Sequence, residues 1–182
     1  MTGLDRLKEF TKLERVLAGV LAFTPLFLIA FDSWSIRSSI SAYYEMEENQ
    51  WFYFLLTVAS MLFLVNGVIK RENYYNVALG VLLAGVILFN QDDWTAIHTF
   101  FAVTFFGGNA VVIFFFSRGS PAVKRTFIAI GVVLAALALV FRLSLFWIEW
   151  LSLVVIAAHY ILDSIWLDYR AVGRGEAFKR GG

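Results

Sequence analysis

The sequence predicts an all-α integral membrane bundle of six transmembrane helices with both termini in the cytoplasm. Three observations predict it. Sixty per cent of the 182 residues are hydrophobic, with a mean hydropathy of +0.73. Soluble domains hold about 45–50% apolar residues, and a chain this size has no globular core large enough for the excess. The apolar residues fall into six runs, and the basic residues fall almost entirely on one side of them.

The runs cover 16–32, 52–69, 74–90, 96–116, 122–141 and 145–167. Each approaches the ~17–25 residues that a spanning helix needs. The third is the least apolar, because Asn73, Tyr74, Tyr75 and Asn76 stand at its start. It is retained because the connecting segments then alternate in charge. With the N-terminus inside, the inner segments hold 13 of the 15 Lys and Arg residues, and the outer segments hold only Arg37 and Arg142. This is a positive-inside bias. Five spans would carry Arg170, Arg174, Lys179 and Arg180 to the outside.

Residues 1–15 read as a cytoplasmic amphipathic segment, with Leu4, Leu7, Phe10 and Leu13 at three-residue steps. Residues 16–168 form the six-helix domain and 169–182 a basic cytoplasmic tail. The run Val16–Phe31 is long and no small-x-small cleavage site follows it, so it reads as a retained first span. The connections are short except for Ser33–Trp51, which makes neighbouring helices antiparallel. The chain has no cysteine, which excludes thiolate chemistry and cysteine-held metals. A net charge of +1 gives no basic surface for nucleic acid. No cofactor or metal is expected. Membrane lipids are the expected partners, with a homo-oligomer as a further expectation, in the inner (plasma) membrane of a bacterium.

Orientation gathers the polar residues into two groups. Ser41, Tyr43, Asp93, His98, Arg142 and Glu149 fall on the outer side, drawn from two outer loops and three span ends. Glu149 lies about four residues into the last span, where an unpaired carboxylate is costly. Arg142 and His98 are its candidate partners. The group is either a structural tie between helices or a binding or catalytic cluster. His98 is either an interfacial hydrogen-bonded residue or a general base, and Asp93 is a candidate cap for the fourth span. The second group is His159 and Asp163, four apart on one face of the last span and deep in the membrane. Asn66 and Asn109 are their candidate neighbours. This pair either locks the bundle or forms a proton relay or binding site. Gly80, Gly85, Gly107 and Gly108 are expected to allow close helix approach.

Two families bear on these residues. Alkaline ceramidases and adiponectin-type receptors hold zinc with three His. This chain has two, and His98 and His159 differ in depth by on the order of 16 Å at 1.5 Å per residue. One zinc ion cannot bind both. A second set of motifs resembles the DRAM/Sfk/Frag-type six-span membrane proteins and small bacterial proteins like them. The segment Ser39-Ile40-Ser41-Ala42-Tyr43-Tyr44 resembles their Ile-Ser motif in the first outer loop. Asn76-Val77-Ala78-Leu79-Gly80 opens a span that ends in Phe89-Asn90-Gln91, Ile97-His98 opens the next, and Glu149-Trp150 opens the last. The resemblance covers about 33–155. The proline and Pro-Glu pair that flank the Ile-Ser motif in that family are absent here, where Glu45, Glu47 and Glu48 stand nearby. The resemblance implies a lipid-related role and motif residues Ser41, His98 and Glu149.

Three functions remain open on these residues. The first is a non-enzymatic protein binding lipid or a partner through the outer cluster. The second is a membrane enzyme acting on lipid headgroups. The third is a small oligomeric channel or transporter using His159 and Asp163.

Overall fold

A computed structural model describes residues 3–69, 74–116, 126, 129–133, 136, 140 and 144–180, with side chains described from Thr11 to Trp166. The described residues are helical or in turns, with no strand among them. Five helices have described bounds: α1 (Gly3–Phe31), α2 (Gln50–Ile69), α3 (Tyr75–Leu88), α4 (Thr95–Phe116) and α5 (Leu145–Arg180). A short 3₁₀ helix, Ser41–Glu45, sits in the loop between α1 and α2.

Four of these helices contain stretches long and apolar enough to cross a membrane: Thr11–Phe31, Gln50–Ile69, Thr95–Phe116 and Leu145–Trp166. The apolar α3 has 14 residues, which makes it about 21 Å long. The expected fifth span, 122–141, lies mostly outside the described residues, as does Arg142. The boundaries expected near 15 and 168 do not interrupt any helix. The charged N-terminal segment continues into the first apolar run, and α5 continues to Arg180.

The helices pack in chain order. α1 lies between α5 and α2, α3 lies between α2 and α4, and α4 touches α5. Cross-helix bonds show that the neighbours run antiparallel. Arg15 Nε donates to Ser164 Oγ at 3.1 Å, while Trp150 Nε1 donates to the Ala22 carbonyl at 3.2 Å. Ser60 Oγ donates to the Gly80 carbonyl at 2.8 Å. The start of α1 and the far part of α5 are therefore at one end of the bundle. The loop 32–49 and the turn 89–94 are at the other, called here the loop end.

Burial follows helical periodicity. In α2 the buried face is Phe52, Leu56, Ala59, Ser60, Phe63, Asn66 and Gly67. In α5 it includes Phe146, Glu149, Leu153, Ile156, Ala157, Tyr160, Asp163 and Ser164. Phe63 sits at the centre, edge-on to Phe105 at 5.6 Å and to Tyr160 at 5.8 Å. The opposite faces are apolar too. Phe27, Phe54, Val68, Leu88, Phe100, Val103 and Phe115 are all exposed. Helices that are apolar on both faces need lipid rather than water around them. The chain is a helical membrane protein.

The contacts of α3 with α2 and α4 depend on small residues. A Cβ on Gly85 would fall 2.3 Å from the Phe101 ring, and one on Gly80 would fall 2.9 Å from the Ser60 carbonyl oxygen. Gly107, expected at a helix contact, has open space around it. Its position in α4 turns it away from α3, while Gly108 meets Leu79. Gly85→Ala is therefore expected to destabilise the bundle by about 1–3 kcal/mol, the usual cost of overpacking. Gly107→Ala is expected to be neutral or slightly stabilising. Equilibrium unfolding in mixed detergent micelles measures both.

Candidate functional site

The loop between α1 and α2 folds around Arg37. Its guanidinium holds Asp32 through two bonds, Nε–Oδ2 at 2.7 Å and Nη2–Oδ1 at 3.2 Å. It also reaches Glu45 at 3.3 Å and lies over the Tyr43 ring, 5.9 Å from its centre. The Asp32 carboxylate raises the Arg37 pKa further above its usual value. Tyr43 is fully buried beneath the loop, and its hydroxyl donates to the Ser35 carbonyl at 2.7 Å. Burial pushes its phenol pKa up. Ser33 and Trp34 take left-handed backbone, with φ of 52° and 65°. The Trp34 amide closes the end of α1 by donating to the Ile29 carbonyl at 2.8 Å.

This folded loop is attached to the start of α5 twice. The Phe146 amide, in the first turn of α5, donates to the Ser38 carbonyl at 2.8 Å. In return the Ile40 amide donates to Glu149 Oε2 at 2.6 Å. Helix starts leave amides without partners, so Ser38 satisfies one while the carboxylate anchors the loop. Ser39 and Ser41 lie beside this bond, with their hydroxyls 3.0 Å apart, and Ser39 Oγ accepts the Ala42 amide at 3.0 Å.

Beneath the loop lies a partly open cavity of about 40 Å³. Its polar wall is the Ile40–Ser41 segment and Glu149, and the rest is apolar, including Leu56, Leu83, Phe105, Phe106 and Leu153. Glu149 is 9% exposed, and no cation pairs with it among the described residues. The cavity is therefore walled almost entirely by hydrocarbon, with Glu149 and Ser41 as the polar side chains in its lining.

The predicted outer cluster divides. Ser41 and Glu149 meet at this cavity, and Tyr43 supports the loop above it. His98 is buried, but its Nδ1 is bonded to the Phe89 carbonyl at 2.7 Å, where it closes the α3–α4 turn. It forms no bond to Glu149. Asp93 does not cap α4. Its carboxylate and amide both bond to the Asn90 side chain, at 2.8 and 2.7 Å, which spends it on the turn. The neighbouring Asp92 accepts the Tyr44 hydroxyl, tying the two connections together and raising the Tyr44 pKa. Arg142 lies outside the described residues.

The deeper pair lies towards the opposite end. His159 Nε2 and Asp163 Oδ2 are 3.9 Å apart, and both side chains are buried. They belong to a larger buried polar group. The Tyr160 hydroxyl donates to Asn76 Oδ1 at 2.7 Å, and Asn76 Nδ2 donates to Asn66 Oδ1 at 2.6 Å, linking α5, α3 and α2. Asn109 turns back onto the Phe105 carbonyl of its own helix. Glu14 of α1, 1% exposed, also lies in this region, near enough to Tyr160 to act on it electrostatically. Sequence reasoning missed Glu14 and Tyr160. Glu14 stands among charged residues that look solvated, and Tyr160 stands next to the more conspicuous His159. The usable signal for Glu14 was its three-residue step to Leu17 and seven-residue step to Leu21, which set it on the buried face.

A family model described as a family of unknown function (DUF7103) matches residues 23–164. No curated protein and no solved structure matches the chain.

Asn76→Ala removes the centre of the three-helix link and leaves both Asn66 Oδ1 and Tyr160 Oη without partners. A loss of about 1–2 kcal/mol is expected, the range for interhelical hydrogen bonds in membranes. Tyr160→Phe, which orphans only Asn76 Oδ1, is expected to cost less. The same unfolding measurement compares them.

Proposed function

The chain belongs to this family of unknown function, and we propose that it is a six-span membrane protein that binds the headgroup of a membrane lipid in the cavity beneath the 32–49 loop, without catalysis. The observation that carries this reading is the cavity itself, an apolar pocket ending in Glu149 and Ser41. Its form matches a lipid: polar groups at one end and hydrocarbon walls behind them.

Six spans are supported by the four helices of spanning length, the apolar α3, and the helical conformation of the described residues between 126 and 140. The antiparallel contact of α1 with α5 supports placing both termini on one side. The basic residues of the two ends make that side the cytoplasm, and the loop end then faces outward. The membrane is the plasma membrane of a bacterium. The similarity to the DRAM/Sfk/Frag-type proteins agrees with this reading, because two pairs of the motifs that carry it are bonded to each other: Ile40 with Glu149, and Phe89 with His98.

The enzyme reading is less well supported. A general base must come within about 3 Å of the proton it takes, and among the described residues the His98 ring is bonded through Nδ1 to the Phe89 carbonyl, with no bond from it to Ser41 or Glu149 at the cavity. The channel reading is less well supported: the buried groups around His159 and Asp163 include direct bonds between helices, which suit a lock.

Two measurements test the proposal. Alkaline phosphatase fused after Gly182 is expected to be inactive and green fluorescent protein at the same position to fluoresce. The reverse would place the C-terminus outside. Protein extracted in mild detergent is expected to carry phospholipid, and Leu153→Trp, which fills the cavity, is expected to remove most of it. Equal lipid in both would defeat the cavity reading. Release of free headgroup from added phospholipid, abolished by His98→Ala in a folded protein, would replace binding with catalysis.

A further inference from the structure

We infer that the cavity under the 32–49 loop receives the primary ammonium of an aminophospholipid headgroup, with Glu149 and Ser41 as its acceptors. The inference rests on the lipid-binding reading and adds the chemical class of the headgroup.

Glu149 is a carboxylate among Leu56, Leu83, Phe105, Phe106 and Leu153. Its only bond among the described residues is to the neutral amide of Ile40, on Oε2. A carboxylate at this depth is costly unless a cation meets it. A cationic headgroup answers that need, whereas an anionic one would add a second negative charge to the same wall.

The cavity's polar side chains offer acceptors. Glu149 keeps Oε1 after Oε2 is taken by Ile40. Ser41 Oγ is bonded to Ser39 Oγ, and Ser39 Oγ is already held by the Ala42 amide. A hydroxyl oxygen has two lone pairs, so Ser41 retains acceptor capacity towards the cavity. A primary ammonium carries three donors. Two can go to Glu149 and Ser41, and the third remains for the lipid's own phosphate. A quaternary ammonium has no N–H and satisfies neither acceptor.

The cavity of about 40 Å³ has room for on the order of three water molecules, at roughly 10–15 Å³ each. An aminoethyl group has three heavy atoms and fits that space. A trimethylammonium group has a nitrogen surrounded by four carbons and exceeds it. A glycerol headgroup, with three carbons and two free hydroxyls, exceeds it as well and brings no charge to Glu149.

The test is competitive lipid retention. The purified full chain is incubated with equimolar phosphatidylethanolamine, phosphatidylcholine and phosphatidylglycerol in detergent, and retained lipid is read by native mass spectrometry. The wild type is expected to prefer phosphatidylethanolamine by about tenfold, the scale of one charge-assisted hydrogen bond. Glu149→Gln keeps an acceptor for the Ile40 amide, so the loop stays anchored. It is expected to retain lipid with that preference reduced to near unity, and its melting temperature verifies folding. Should Glu149→Gln fail to fold, Ser41→Ala serves as the second variant and is expected to lower the preference without abolishing it. Free ethanolamine separates the two sources of this ammonium, and at millimolar concentration it is expected to leave the retained lipid in place. Wild type that retains the three lipids equally overturns the ammonium assignment and leaves the lipid reading standing. Retention of no lipid overturns both. Free ethanolamine that stabilises the lipid-free protein when phosphatidylethanolamine does not would also overturn the proposal.

Discussion

The bond from the Ile40 amide to the Glu149 carboxylate is the constraint on which the loop end of the bundle depends. It joins the loop after the first helix to the start of the last, 109 residues apart in sequence. The return bond from the Phe146 amide to the Ser38 carbonyl makes the attachment two-point, so the loop cannot pivot on a single contact. Ser41 is thereby held over the pocket. The internal bonds of the loop, centred on Arg37, give the attachment something rigid to hold. Without the Arg37 pairings the Ile40 amide would be one of many conformers of a flexible segment, and the carboxylate would gain little from it.

The two ends of the bundle solve the same problem differently. Polar groups inside a membrane domain must find partners within the protein. At the loop end the partners are mostly backbone atoms: the Ile40 amide for Glu149, the Phe89 carbonyl for His98, the Ser35 carbonyl for Tyr43. At the opposite end they include side chains on different helices, as in the run from Tyr160 through Asn76 to Asn66. The first arrangement leaves a cavity with free acceptors, which suits a ligand. The second ties three helices directly, which suits a lock. Between them lies a wholly aromatic contact of Phe63 with Phe105 and Tyr160. The proposed binding and the interhelical lock therefore fall at opposite ends, according to how each polar group is satisfied.

Much of the architecture is legible in the sequence because lipid solvation leaves a coarse signal. Runs of apolar residues of fixed length locate the three inner helices to within a few positions, as at 52–69 against the observed Gln50–Ile69, while the first and last helices run on beyond their apolar stretches. The importance of Glu149 is legible too, since a carboxylate inside a span is conspicuous. Its partner is not. Charge reasoning looks for an arginine or histidine, and the partner found is a backbone amide, which every non-proline residue possesses and no sequence pattern marks. Asp93 fails for the same reason in reverse. It has the residue type of a helix cap, but Asn90 competes for it three residues earlier. Glu14 is hidden by its neighbours: Lys12 and Arg15 are exposed while Glu14 between them is buried, a distinction set by helical phase rather than composition.

The central claim is that Glu149 and Ser41 hold a lipid headgroup under the loop. A structure determined in a lipid bilayer containing phosphatidylethanolamine tests it most directly. The account predicts a headgroup nitrogen within hydrogen-bond distance of Glu149 Oε1 and Ser41 Oγ. A cavity filled only by water or by a protein side chain, with ordered lipid confined to the outer faces of the helices, would contradict it.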